Sequence, residues 1–92
     1  MNVEIAYHAQ IRLAAGSASE KVAAEPGATV VALLTARAAC HGEAFRRLVL
    51  DDHGRLRPGI IVLLNDRPLA PGADPALADG NRISLFSPVA GG

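Results

Sequence analysis

Apolar residues recur along this chain with two different periods, and the places where the period changes mark out its elements. From Asn2 to His8 the pattern alternates. Val3, Ile5 and Tyr7 fall on one side and Asn2, Glu4, Ala6 and His8 on the other, which predicts a half-buried strand. Ala9 to Ala15 is short and reads as a helical turn, ended by Gly16 and the Ser17-Ala18-Ser19 stretch. Glu20 to Ala24 offers a second short strand, stopped by the turn signal Pro26-Gly27. The two strands pair most simply as an antiparallel hairpin, although their connection is too long for its register to be read off a two-residue turn.

Beyond Gly27 the spacing becomes helical. Val30, Leu33, Leu34 and Ala38 recur at intervals of three and four, Thr29 stands ready as N-cap, and Gly42 can stop the helix. Glu43 to Leu50 sets Phe45, Leu48 and Val49 on one face, which predicts a shorter second helix whose last residues can extend into strand. Asp51-Asp52-His53-Gly54 is a polar turn. Ile60 to Leu64 is continuously apolar, as in a strand buried on both faces at the centre of a sheet. Asn65 to Leu69 turns it, Ala70 to Ala78 reads as loop, and Asp79-Gly80-Asn81 launches an alternating last strand, Arg82 to Phe86. The order predicts one α+β domain over residues 1–86, a mixed sheet of four to five strands on one main helix plus a short second helix. Residues 87–92 follow as a tail.

Composition removes most function classes. The chain has 92 residues, half of them apolar, and its nine basic and nine acidic side chains cancel without forming runs. A basic nucleic-acid surface is therefore not expected. The longest aliphatic run, Ile60 to Leu64, is far too short to span a membrane, and Met1-Asn2-Val3-Glu4 does not read as a signal peptide, so a cytoplasmic location is the default expectation. A single cysteine, Cys40, rules out a disulfide within the chain or a metal cluster built on cysteines alone, and it reads as a small buried or half-buried thiol. His8, His41 and His53 are too isolated to read as metal ligands and are expected at surface or turn positions. No triad, phosphate loop or metal set is present, so no catalytic residue is assigned.

The end of the chain is the informative part. In Ser87-Pro88-Val89-Ala90-Gly91-Gly92, Pro88 fixes its own φ and steers Ser87 away from helix, so an extended tail is expected. Six extended residues reach at most about 20 Å. Glycine without a Cβ lets another protein's backbone come close.

Three stretches resemble the MoaD/ThiS family, the small sulfur carriers of molybdopterin and thiamine synthesis. They are Tyr7-His8-Ala9-Gln10-Ile11-Arg12-Leu13, then Val62 through Leu69, and above all Leu77 through Gly92. The last holds an acidic-Gly turn, a strand ending on an aromatic residue, a Pro-containing segment and Gly-Gly. Leu13 stands where the family usually has an acidic residue, Ser87 where the molybdopterin branch often has proline, and Leu50 to Pro58 makes the chain longer than the thiamine-branch carriers. The Val-Ala-Gly-Gly ending also occurs in cysteine-synthesis carriers.

The resemblance implies a β-grasp, ubiquitin-like fold. It also implies a non-catalytic role, in which the Gly92 carboxylate is adenylated and converted to a thiocarboxylate that donates sulfur, with molybdopterin synthesis as the leading pathway. Gly91, Ala90, Val89 and Pro88 would thread the partner's channel, and Phe86, with Leu85 or Ile83, would form an apolar docking surface. Arg12 and Arg67 are candidates for ion pairs with a partner. No bound cofactor or metal is expected, ATP being used by the partner. Implied partners are a ubiquitin-activating-enzyme-like adenylyltransferase, a sulfurtransferase or cysteine desulfurase as sulfur source, and a molybdopterin synthase large subunit. Carriage of sulfur for cysteine or thiamine synthesis, conjugation to lysines as a ubiquitin-like modifier, and an inert interaction domain remain alternatives.

Overall fold

A computed structural model describes residues 1–87. Its elements run β1 (Asn2–Tyr7), α1 (Ala9–Ala15), β2 (Ser19–Ala23), α2 (Val30–His41), α3 (Glu43–Val49), β3 (Ile61–Leu64), β4 (Arg67–Pro68) and β5 (Arg82–Phe86). The five strands form one sheet in the order β2-β1-β5-β3-β4. β1 and β5 are parallel, with Ile5 opposite Ile83 and Tyr7 opposite Leu85, and the other pairings are antiparallel. The first and last strands thus lie side by side, with α2 packed against one face, which is the β-grasp arrangement.

Thr29 caps α2 as its position predicts, its hydroxyl oxygen accepting from the Ala32 N–H at 3.2 Å. Val30, Leu33, Leu34 and Ala38 are buried and join Val3, Ile5, Ile83 and Leu85 in a single core. At about 1.5–3 kcal/mol for each large aliphatic side chain removed from water, this stripe rather than helix propensity holds α2 in place. The 70–78 segment contains no regular element but is well anchored. Asp74 Oδ1 accepts from Val31 N–H at 2.8 Å, and Leu77 is buried. α3 buries Phe45 and Val49, after which Leu50 leaves the helix and bridges to Leu56.

Three expectations need correction. β3 is neither central nor buried on both faces: β5 holds the centre, and Ile61 is 50% exposed. A continuous apolar run looks the same whether its second face is covered by helices or left for another molecule, and here all the helices lie on one side. The turn after β3 is tighter than its composition suggests. Asn65 and Asp66 both take positive φ (51° and 68°), the left-handed pair of a two-residue hairpin, so Arg67 and Pro68 return as β4. Cys40 is exposed on α2, not buried.

His41 is likewise no bystander. Glu20 on β2 accepts from Tyr7 OH at 2.5 Å and from Arg37 Nε at 3.1 Å, and His41 Nε2 lies 2.8 Å away, all at Oε1. These contacts tie the edge strand β2 to the last turns of α2, over the perpendicular Tyr7–Phe45 ring pair. Burial alone would raise the Glu20 carboxyl, but the hydrogen bonds from Tyr7 and His41 and the charge of Arg37 outweigh it and hold it below the usual range. Burial, then the bond to Glu20, pushes the Tyr7 phenol far up. A carboxyl depressed on folding adds stability that is complete above the unfolded carboxylate's pKa of about 4.3 and is lost as pH falls through the folded value. Glu20→Gln should therefore cost about 1.5–3 kcal/mol at pH 7 and flatten the acid limb of a stability–pH profile measured by urea denaturation. An unchanged acid limb would show that the cluster is not coupled to folding.

Candidate functional site

The candidate site lies on the sheet face opposite α2. Register partners share a face, so Phe86 lies beside Ile61, and Ser84 sits between Ala6 and Leu63. Farther along, Glu4 meets Arg82, with Oε1 and Nε 3.5 Å apart. Ile61 is half out of the protein, while Phe86 and Leu63 are half-buried. The small side chains of Ala6 and Ser84 are only 4% and 6% exposed and lie sunk between these larger neighbours. The result is an apolar surface centred on the end of β5.

This corrects the predicted docking residues. Phe86 is on the open face, but Ile83 and Leu85 are fully buried in the core. Alternation along β5 dictates the split: 82, 84 and 86 face outward, 83 and 85 inward. Phe86 is half-buried on the open face, whereas Leu85 and Ile83 belong to the core. Ile61 and Leu63 of β3 share the open face with Phe86. The tail positions Pro88, Val89, Ala90, Gly91 and Gly92 lie outside the described residues. Arg12 and Arg67 are exposed and make no ion pair among the described residues.

His8 is the residue that sequence reasoning missed. Its ring stacks flat on Phe86, with centroids 4.1 Å apart and planes 2° from parallel, and the His8 backbone N–H donates to Leu85 O at 3.1 Å. The next residue, Ala9, takes a left-handed φ of 55°. A non-glycine residue there costs of order 1 kcal/mol, which the chain accepts in turning from β1 into α1 directly after the stack. The signal was present in the alternation Glu4, Ala6, His8 along the outer side of β1. What one strand cannot reveal is that the last residue of β5 would lie under the ring. His8→Ala should remove a flat platform beside the end of β5 and weaken partner binding about three- to tenfold, whereas His8→Phe should retain it. Titration calorimetry against the activating partner would check this, and equal affinities for wild type and His8→Ala would refute it.

One further concavity is present, a groove of about 640 Å³ between the start of α2, β3 and the loops 51–59 and 69–74. Val31, Leu56, Ile60, Val62 and Leu69 give it an apolar wall. Its two carboxylates are already committed to backbone N–H groups: Asp74 to Val31, and Asp51 to His53 and Arg55. Those backbone bonds, Arg55 first, hold the Asp51 carboxyl below the usual range. Nothing in this groove forms a nucleophile–base pair. Among the described residues no group of three or more His, Cys, Asp or Glu is placed to hold a metal, and no helix is long and apolar enough to cross a membrane.

Comparison with known proteins agrees with this geometry. Small archaeal modifier protein 3 of Haloferax volcanii is 34% identical over 94 residues, covering all of both chains. The crystal structure of SAMP1 from Haloferax volcanii superposes with a TM-score of 0.85 at 35% identity, again over all of both chains. A putative molybdopterin converting factor, subunit 1, from Pyrococcus furiosus gives 0.74 at 26% identity, covering 97% of this chain and 99% of that one. The ThiS family matches residues 5–92. With the parallel β1–β5 pair, the open apolar face and Gly-Gly at the end of the match, this chain belongs to the ThiS family of ubiquitin-like β-grasp proteins.

Proposed function

We propose that the protein is a sulfur carrier whose Gly92 carboxylate is activated by a partner enzyme and converted to a thiocarboxylate, with molybdopterin synthesis as the receiving pathway. The observation that carries this reading is the placement of an exposed apolar face at the root of a segment ending in Gly-Gly. A partner can grip the rigid body by Ile61, Leu63, Phe86 and His8 while the narrow segment enters its active site. The similarity to a molybdopterin converting factor subunit supports the pathway.

A carboxylate is a poor acyl donor, because its charge repels nucleophiles and its oxygen leaves badly. Attack of a Gly92 oxygen on the α-phosphorus of ATP releases pyrophosphate and leaves a mixed anhydride with AMP. Sulfide, or the terminal sulfur of a persulfide held by a sulfurtransferase or cysteine desulfurase, then attacks the carbonyl carbon and the C–O bond to AMP breaks. Sulfide leaves the thiocarboxylate directly, with no change of oxidation state. A persulfide leaves an acyl disulfide, which a partner thiol reduces to release the thiocarboxylate while itself becoming a disulfide. Orientation and charge stabilisation come from the partner, and this chain supplies the docking face and the reacting carbon.

The test is intact-mass measurement after incubation with ATP, a sulfide source and candidate adenylyltransferases. The expected product has one carboxyl oxygen replaced by sulfur. If no candidate from the same cell yields it, the carrier reading fails.

Conjugation to lysines is a second reading, favoured by the similarity to two small archaeal modifier proteins. It needs the same activated Gly92 and the same docking face, and it differs only in the nucleophile: an amine in place of sulfur. Isopeptide-linked adducts in a lysate would support it.

A further inference from the structure

We propose that Lys21 is the acceptor through which one copy of this protein becomes joined to another. The inference rests on the reading that Gly92 is activated, and it concerns what that activated carbonyl meets on a second copy.

Lys21 is the one lysine in the chain, the other eight basic side chains being arginines. A guanidinium stays protonated and is a poor nucleophile toward an acyl group, so arginines do not compete. The other amine, at Met1, is half-buried and donates to Ala24 O at 3.1 Å, while Met1 O accepts from Ala24 N–H at 2.8 Å. That pair of bonds closes the end of the β1–β2 ladder and holds the α-amine in place. Lys21, by contrast, is exposed and makes no ion pair among the described residues. Its cross-strand neighbour Glu4 is turned to Arg82.

The setting suits acyl transfer. β2 is an edge strand, paired to β1 alone, so its other edge presents free backbone donors and acceptors. An incoming chain segment can add to such an edge as a further strand. Gly-Gly carries no Cβ to obstruct approach to that edge, so the activated carbonyl of a second copy can reach the Lys21 amine. The apolar face around Phe86 is built from β5 and β3. Lys21 shares the open sheet face with its register partner Glu4 but stands two strands from Phe86, at the edge away from Ile61 and Leu63.

In the reaction the unprotonated Nζ of Lys21 attacks the Gly92 carbonyl carbon of a second copy carrying AMP. A C–N bond forms, the C–O bond to AMP breaks, and the amine proton passes to solvent. Neither partner is oxidised or reduced. ATP, used to make the adenylate, is the only co-reactant.

A lysine on an edge strand also serves to discourage sheet-to-sheet association. Arginine keeps that charge and removes the amine, so Lys21→Arg separates the two roles. The full-length protein is incubated with ATP and a clarified lysate of its source cells, then digested with trypsin. Cleavage after Arg82 leaves residues 83–92 of the donor as a branch on Lys21. The expected result is that branch in wild type, its loss in Lys21→Arg, and an unchanged yield of activated Gly92. A second variant, Lys21→Arg with Arg67→Lys, moves the amine to β4 at the opposite edge and should give less than about a tenth of the wild-type adduct. Equal yield from the moved lysine overturns the edge-strand argument. Adducts cleaved by neutral hydroxylamine are thioesters on Cys40 and overturn the assignment. Activation with no branch on Lys21 overturns the proposal alone, whereas no activation at all overturns the functional reading together with it.

Discussion

Adding one alanine after Gly92 should abolish thiocarboxylate formation while leaving the fold intact. The extra residue moves the terminal carboxylate about 3.5 Å along the chain and turns the Gly92 carbonyl into an unreactive amide. Attack on ATP requires the oxygen within about 3–3.5 Å of phosphorus, in line with the leaving group, and displacement by even an ångström costs of order a hundredfold. A full residue removes both the position and the functional group, so a rate loss of at least about a thousandfold is expected. The body has no reason to respond, because the last strand ends at Phe86 and the core residues of β5, Ile83 and Leu85, are untouched. Intact-mass kinetics with the activating enzyme would measure the loss, and thermal unfolding should match wild type. A capped variant that is converted without being trimmed would show that the reacting carbon is elsewhere.

Much of this was legible in the residues because each piece depends on local chemistry. Val30, Leu33, Leu34 and Ala38 announce α2 through a period that only a helix uses. Thr29 announces its start, because an unpaired N–H turn attracts a side-chain oxygen. The fold followed from element order together with the family resemblance. What stayed hidden was every property set by pairing at a distance. Ile60 to Leu64 reads as a doubly buried strand, and only the position of the helices reveals that Ile61 faces outward. Ile83, Leu85 and Phe86 are equally apolar; alternation separates 83 and 85 from 86, but only the assembled sheet shows which of its faces the helices cover. His41 reads as an isolated residue because its partner, Glu20, is 21 positions away on another element. His8 suffers likewise, its partner lying at the far end of the chain. Side chains that act in pairs across the sheet are invisible until the sheet is assembled.

Replacing Ile61 by aspartate is expected to raise the KM of the activating enzyme for this protein about thirtyfold or more, with kcat unchanged. Ile61 is a large aliphatic side chain half exposed beside Phe86 and the His8 stack, within the apolar surface at the end of β5. Such side chains near the centre of an interface are worth about 2 kcal/mol or more when lost, and a carboxylate in their place must also be stripped of water without a partner. Both terms weaken docking equally in the ground state and the transition state, which is why KM should carry the effect when binding is fast relative to chemistry. The fold should tolerate the change, since the side chain already meets solvent and the strand-propensity penalty is about 1 kcal/mol at most. Leu13 is the control. It is more exposed than Ile61, at 81% against 50%, but it stands on α1 and not on the sheet, and single exposed leucines are ordinary. Leu13→Asp should therefore change KM less than twofold. If Leu13→Asp proves the damaging substitution and Ile61→Asp the silent one, the partner grips the helical side, and the open sheet face around Phe86 is not where this protein is held.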